Sequence, residues 1–123
     1  LGLNGVEVIT GRAEDVAHLP EYREKLDVVV CRAVSQIATV TELILPFSKV
    51  GGLAIAFKSG SIDDEVTRAS RAIDILGGRM KGLKQVTIEG LEQHVLVVLE
   101  KVSATPHIYP RRSGMPAKRP ISG

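Results

Sequence analysis

Two apolar runs, LDVVVC at Leu26–Cys31 and LAIAFK at Leu53–Lys58, fix the architecture this chain can take. Continuous runs of this kind read as strands buried on both faces, as when helices cover both sides of a parallel sheet. Between them Ile37, Val40 and Ile44 recur at helical spacing, with Ser35 as N-cap, and Pro46 ends the pattern. Gly51 and Gly52 turn the chain into the second strand. A further helix begins at Ser61, with Asp64 three residues on as in a capping box. Its apolar stripe is Ile62, Val66, Ala69, Ile73 and Leu76, and Gly77 and Gly78 stop it.

The rest of the pattern is strand-like. Val6, Val8 and Ile9 form a short opening strand, followed by a short helix around Glu14 to His18. Leu83–Glu89 and His94–Glu100 are joined around Gly90, too closely for a parallel crossover, so they pair antiparallel. The expected fold is a three-layer α/β/α sheet with antiparallel last strands, its core containing Val28 to Val30 and Leu53 to Phe57. One domain fills the 123 residues, and 44% apolar residues is ordinary for a globular chain.

Charge divides the chain after Glu100. Residues 101–123 hold five of the sixteen Lys and Arg and none of the fourteen Asp and Glu, so the first 100 residues carry net −3. The basic residues of this tail are Lys101, Arg111, Arg112, Lys118 and Arg119, and four of the six prolines lie among them. Such a segment forms no core of its own and reads either as a solvated, disordered end or as an arm placing cations against phosphates.

Several chemistries are disfavoured. One cysteine and three separated histidines, His18, His94 and His107, give no zinc spacing. The glycine pairs lack the Lys-Ser/Thr of a phosphate loop, and there is no nucleophile elbow. Cys31 reads as a small buried hydrophobe in a reducing compartment, and no membrane span is present, so a cytoplasmic protein is expected. In a parallel sheet ligands collect beyond the carboxyl ends of the strands. There the sequence puts Arg12, Glu14 and Asp15 after the first strand, Arg32 after the second, and Lys58 and Ser59 after the third.

GRAED at Gly11–Asp15, YREKLDVVVCRAV at Tyr22–Val34, GG with FKSG at Gly51–Gly60, and HIYPRRSGMPAKRPI at His107–Ile121 together resemble the glucose-inhibited division protein B family. The resemblance implies a Rossmann-like class I methyltransferase that moves a methyl group from S-adenosylmethionine to guanine N7 of 16S ribosomal RNA. It implies that residues 1–100 are the C-terminal part of that domain, without its first strands and glycine-rich cofactor loop, and that 101–123 form its tail. Cofactor binding by the piece alone is then in doubt, and an open sheet edge predicts dimerisation. By the same resemblance Ala13, Glu14 and Arg32 border the cofactor. Arg32, Arg111 and Lys58 align the reaction, and Arg12, Lys58, Arg111, Arg112, Lys118 and Arg119 meet RNA. A non-enzymatic RNA-binding module and a structural half awaiting its missing segment stand as the other readings.

Overall fold

A computed structural model describes residues 13–32, 36–59, 63–85 and 94–122. The elements are α1 (Ala13–Val16), β1 (Leu26–Arg32), α2 (Ile37–Ile44) with a 3-10 turn at Leu45–Phe47, β2 (Ser48–Ser59), α3 (Asp63–Ile75), β3 (Gly78–Gln85), β4 (His94–Lys101) and α4 (Met115–Lys118). The four strands form one sheet in the order β1-β2-β4-β3. β1 and β2 are parallel, and β4 lies antiparallel to both β2 and β3. The result is the mixed α/β sheet expected, with its last two strands antiparallel. The opening strand Val6–Ile9 and the caps Ser35 and Ser61 fall outside the described residues.

The core lies on one face of the sheet. Ala54 and Ala56 of β2 and Val97 and Leu99 of β4 meet Ile37, Val40 and Ile44 of α2 and Ala69, Ala72 and Ile73 of α3. Small side chains on the central strand let two helices approach closely. Of the stripe read from the sequence, Ala69, Ile73 and Leu76 are buried in this face and Val66 packs against it, while Ile62 lies outside the described residues.

The continuous run in β1 predicts burial on both sides, and here the structure differs. The strand alternates: Val29 and Cys31 pack toward the core, while Val28 and Val30 are 51% and 66% exposed. Among the described residues β1 pairs only with β2, so it is an edge, and its second face lacks the cover that double burial requires. Leu53 and Ile55 on β2 and Val98 on β4, in register with Val28 and Val30, continue the same half-buried apolar surface.

Gly51 and Gly52 do not turn the chain into β2; they lie inside it. The pairing jumps from Leu26↔Ser48 to Val28↔Leu53, so β2 bulges opposite Asp27. Gly51 takes φ +93°, and a Cβ on Gly52 would stand 2.7 Å from the carbonyl oxygen of Asp27. β3 likewise starts at Gly78, five residues before the apolar run that announces it.

Candidate functional site

The parallel pairing of β1 and β2 carries both strands to the same edge of the sheet, with Arg32 opposite Phe57 and Lys58 one residue further. Arg32 ends β1 exposed to solvent. Lys58 is mostly covered and pairs with Glu65 of α3 at 2.8 Å. The same Glu65 Oε1 accepts the backbone N–H of Ile37 at 2.7 Å, supplying the N-terminal cap of α2 that Gln36 does not provide. One carboxylate thus fixes Lys58 and closes the start of α2. Beside Lys58, the ring of Phe57 stacks on His94, centroids 4.8 Å apart.

Ala13 and Glu14 open α1. Glu14 Oε2 accepts the N–H of Gly114 at 2.9 Å, so its carboxylate is turned to the C-terminal segment. Ala13 lines a groove of about 400 Å³ beside β1, an edge among the described residues, together with Val28, Val30 and Cys31. The Cys31 thiol is half-buried there, and burial pushes its pKa up, which suits packing and not nucleophilic chemistry. Arg12 lies outside the described residues.

The tail is no free arm. It crosses the domain and then runs along α2 from its C-terminal half to its N-terminus. Lys101 is fully buried, its ammonium donating to the carbonyls of Leu45 at 2.8 Å and Ser48 at 2.9 Å and pairing with Glu24 at 3.0 Å. Thr105 caps the end of α3 by donating to the Leu76 carbonyl at 2.7 Å. Arg23 donates to the carbonyls of Tyr109, Pro106 and Thr105 at 2.8, 3.0 and 3.1 Å, and His18 to that of Pro110 at 2.7 Å. The Tyr109–Pro110 peptide is cis. Further on, Thr39 donates to the Pro116 carbonyl at 2.9 Å, and Ile121 packs on the core.

Docking of the tail also gives Arg111 a partner that the family resemblance does not imply. Its guanidinium is taken up by Glu42, with Nη2 2.7 Å from Oε1 and Nε 3.0 Å from Oε2, and its backbone N–H also donates to Glu42 at 2.7 Å. Glu42 is fully buried, so this arginine answers a carboxylate that would otherwise be isolated in the core. Hydrogen bonding to Glu42 also raises the guanidinium pKa. Arg32 and Lys58 share a sheet edge; Arg111 is held instead against α2. Of the tail cations, Arg112, Lys118 and Arg119 remain exposed.

Sequence reasoning missed Glu42, Glu65, Arg23 and Glu24. The one signal that could have found any of them was Glu42 itself, the single charge in the otherwise uncharged helix IATVTELI. Among the described residues no group of His, Cys, Asp and Glu is placed to hold a metal ion, and no helix is long and apolar enough to cross a membrane.

The sequence profile described as rRNA small subunit methyltransferase G (GidB) matches residues 1–96. Three curated relatives are each named ribosomal RNA small subunit methyltransferase G. That of Dehalococcoides mccartyi (strain CBDB1) is 52% identical over 98% of this chain and 52% of its own length. That of Roseiflexus castenholzii is 50% identical over 98% of this chain and 52% of its own, and that of Clostridium novyi 46% over 98% and 50%. The chain spans about half the length of the curated relatives it matches. With more than three quarters of its residues inside the family profile, this chain belongs to the GidB family of rRNA small subunit methyltransferases.

Proposed function

We propose that this chain is the C-terminal part of an S-adenosylmethionine-dependent methyltransferase acting on guanine N7 of 16S ribosomal RNA in the cytoplasm. The observation that carries the reading is the delivery of Arg32 and Lys58 by two parallel strands to one sheet edge, in a chain of this family. Guanine N7 offers an in-plane lone pair and no proton at neutral pH, so attack on a methyl group needs no general base. It needs alignment and exclusion of water. Arg32 or Lys58 donating to guanine O6 orients the purine and leaves N7 free.

The residues present suit part of the cofactor. The groove beside Ala13 is lined by Val28, Val30 and Cys31 and has the apolar character an adenine ring takes. Ala13, Glu14 and Arg32 are the residues proposed to border it, Glu14 through its place at the start of α1, since its carboxylate is engaged by Gly114. S-adenosylmethionine, when bound, supplies the electrophilic methyl. The apolar surface of exposed Val28 and Val30 and half-buried Ile55 favours a companion role as well: this half needs further chain to cover it before it holds cofactor tightly.

The test is a chimera in which this chain replaces the corresponding half of the Dehalococcoides mccartyi relative. It is expected to methylate assembled small subunits lacking the modification, with the product mapped to N7 of one guanosine. An active parent and a folded but inactive chimera that still binds RNA would overturn the reading in favour of a binding module.

A further inference from the structure

A cavity of about 590 Å³ lies between α3 and the end of the C-terminal segment. Arg68 and Arg71 stand along one wall and Pro120 and Ser122 along the other, with Gln36 and Glu65 at the end nearest α2. Arg68 and Arg71 are both exposed and one helical turn apart, so their side chains neighbour each other. Neither forms an ion pair with another described residue. Glu65, the one acid lining the cavity, is already engaged by Lys58 and the Ile37 N–H.

We propose that this groove is an RNA-binding surface in which Arg68 and Arg71 contact the phosphodiester backbone of the ribosomal RNA substrate. The inference rests on the methyltransferase reading and extends it along α3 from the Lys58–Glu65 pair. Charge and continuity support it. Arg119 immediately precedes Pro120 of the groove wall, and Lys118 stands beside it, exposed, at the end of α4. At the other end Glu65 is the ion-pair partner of Lys58. A strand laid in the groove therefore meets Arg68 and Arg71 and ends at Glu65, the partner of Lys58, while Lys118 and Arg119 precede the Pro120 wall in the chain. Docking the tail against α2 is what builds the second wall, so the groove exists only because the tail is folded.

Binding of labelled single-stranded 16S rRNA oligonucleotides to the 123-residue chain, titrated with salt, tests this. Removing two phosphate-neutralising cations in R68A/R71A is expected to lower the slope of log affinity against log salt by about 1.4 and to weaken binding roughly tenfold near 0.1 M salt. R68K/R71K, which keeps the charges, is expected to restore the slope. Thermal unfolding is expected to be unchanged in both variants, because both side chains are exposed. Wild-type binding that R68A/R71A leaves unaltered in affinity and slope would overturn the groove, and so would the absence of salt-dependent binding by the wild-type chain. The function is judged separately: in the chimera, R68A/R71A is expected to raise KM for the small subunit and leave kcat unchanged, whereas failure of the methyltransferase reading abolishes transfer in every version.

Discussion

Arg111 sets the Nε–Nη2 edge of its guanidinium against both oxygens of the fully buried carboxylate of Glu42, 69 residues earlier in the chain, and so staples the C-terminal segment to α2. Removing either partner leaves the other without its counter-charge. Arg111→Ala is expected to destabilise the fold by about 3–5 kcal/mol, read as a lowered urea midpoint. Arg111→Lys is expected to recover only part, because an ammonium cannot grip the carboxylate with two prongs. A midpoint unchanged in Arg111→Ala would show that the Glu42 pair does not hold the tail to α2.

Glu24 gives the fold an acid-sensitive joint. Burial raises its pKa, but the Thr105 N–H and the Lys101 ammonium outweigh burial and hold it below the ordinary carboxylate range. A depressed carboxylate pKa stabilises the fold at pH values above that of the unfolded chain, and the contribution is lost as pH falls through the folded value. Urea midpoints measured from about pH 7 down to about pH 3 are expected to fall less steeply in Glu24→Gln than in the wild type, from a lower starting point. Parallel curves would show that Glu24 contributes nothing to the acid limb. Lys101 works in the opposite sense: burial depresses its pKa, so stability rises with pH between its folded value and the ordinary lysine range.

Gly77 and Gly51 both take positive φ, +89° and +93°, yet the space around them separates their expected behaviour. A Cβ on Gly77 would lie 2.2 Å from the backbone oxygen of Ser103, while one on Gly51 meets nothing within 4 Å. The Gly77 carbonyl also accepts the N–H groups of Val102 and Ser103, so the tail crossing is built on it. Gly77→Ala is expected to cost more than about 2 kcal/mol and Gly51→Ala about 1 kcal/mol. Equal losses in denaturant titrations would mean that the Ser103 backbone yields freely.

The contrast between periodic pattern and long-range pairing explains what the sequence disclosed. The strands at Leu26–Cys31 and Leu53–Lys58, the stripe of α3 and the antiparallel end were legible because each leaves a local mark: an apolar run, a helical period or a connection too short for a crossover. From the parallel pair followed the shared edge of Arg32 and Lys58. The insertion of β4 between β2 and β3 was not legible, since strand order is decided by which edge remains free after pairing. Nor was the fate of the tail. Its charge and prolines resemble those of a solvated arm, but Arg23, Glu24, Thr39 and Glu42, all more than 60 residues away, supply the partners that its carbonyls, N–H groups and cations require. Single polar residues that meet backbone groups across such distances leave no periodic trace.

The open edge of β1 predicts self-association of the 123-residue chain. Val28 and Val30 are exposed on a strand with one side free among the described residues, an arrangement that pairs readily with a second copy. Sedimentation at increasing concentration is expected to show dimers or larger species. Val30→Lys is expected to shift the chain toward monomer without loss of helix signal. A stable monomer at high wild-type concentration would show that the edge is protected.

Arg32 and the outer tail cations are expected to fail differently. Arg32 is exposed at the end of β1, so Arg32→Ala in the chimera is expected to leave the unfolding midpoint within about 0.5 kcal/mol of the parent. Methyl transfer at saturating RNA and cofactor is expected to fall by at least tenfold, because placement of the purine or cofactor is lost while the sheet is not. Arg112, Lys118 and Arg119 are also exposed, but they stand on the docked tail and not on the strand end. Replacing all three by Ala is expected to weaken RNA binding evenly across sequences and to flatten its salt dependence by about 2, at about 0.7 for each phosphate no longer neutralised, with kcat retained. Unchanged turnover in Arg32→Ala would remove that residue from the site. Salt dependence left intact by the triple change would mean that the outer tail serves the fold alone.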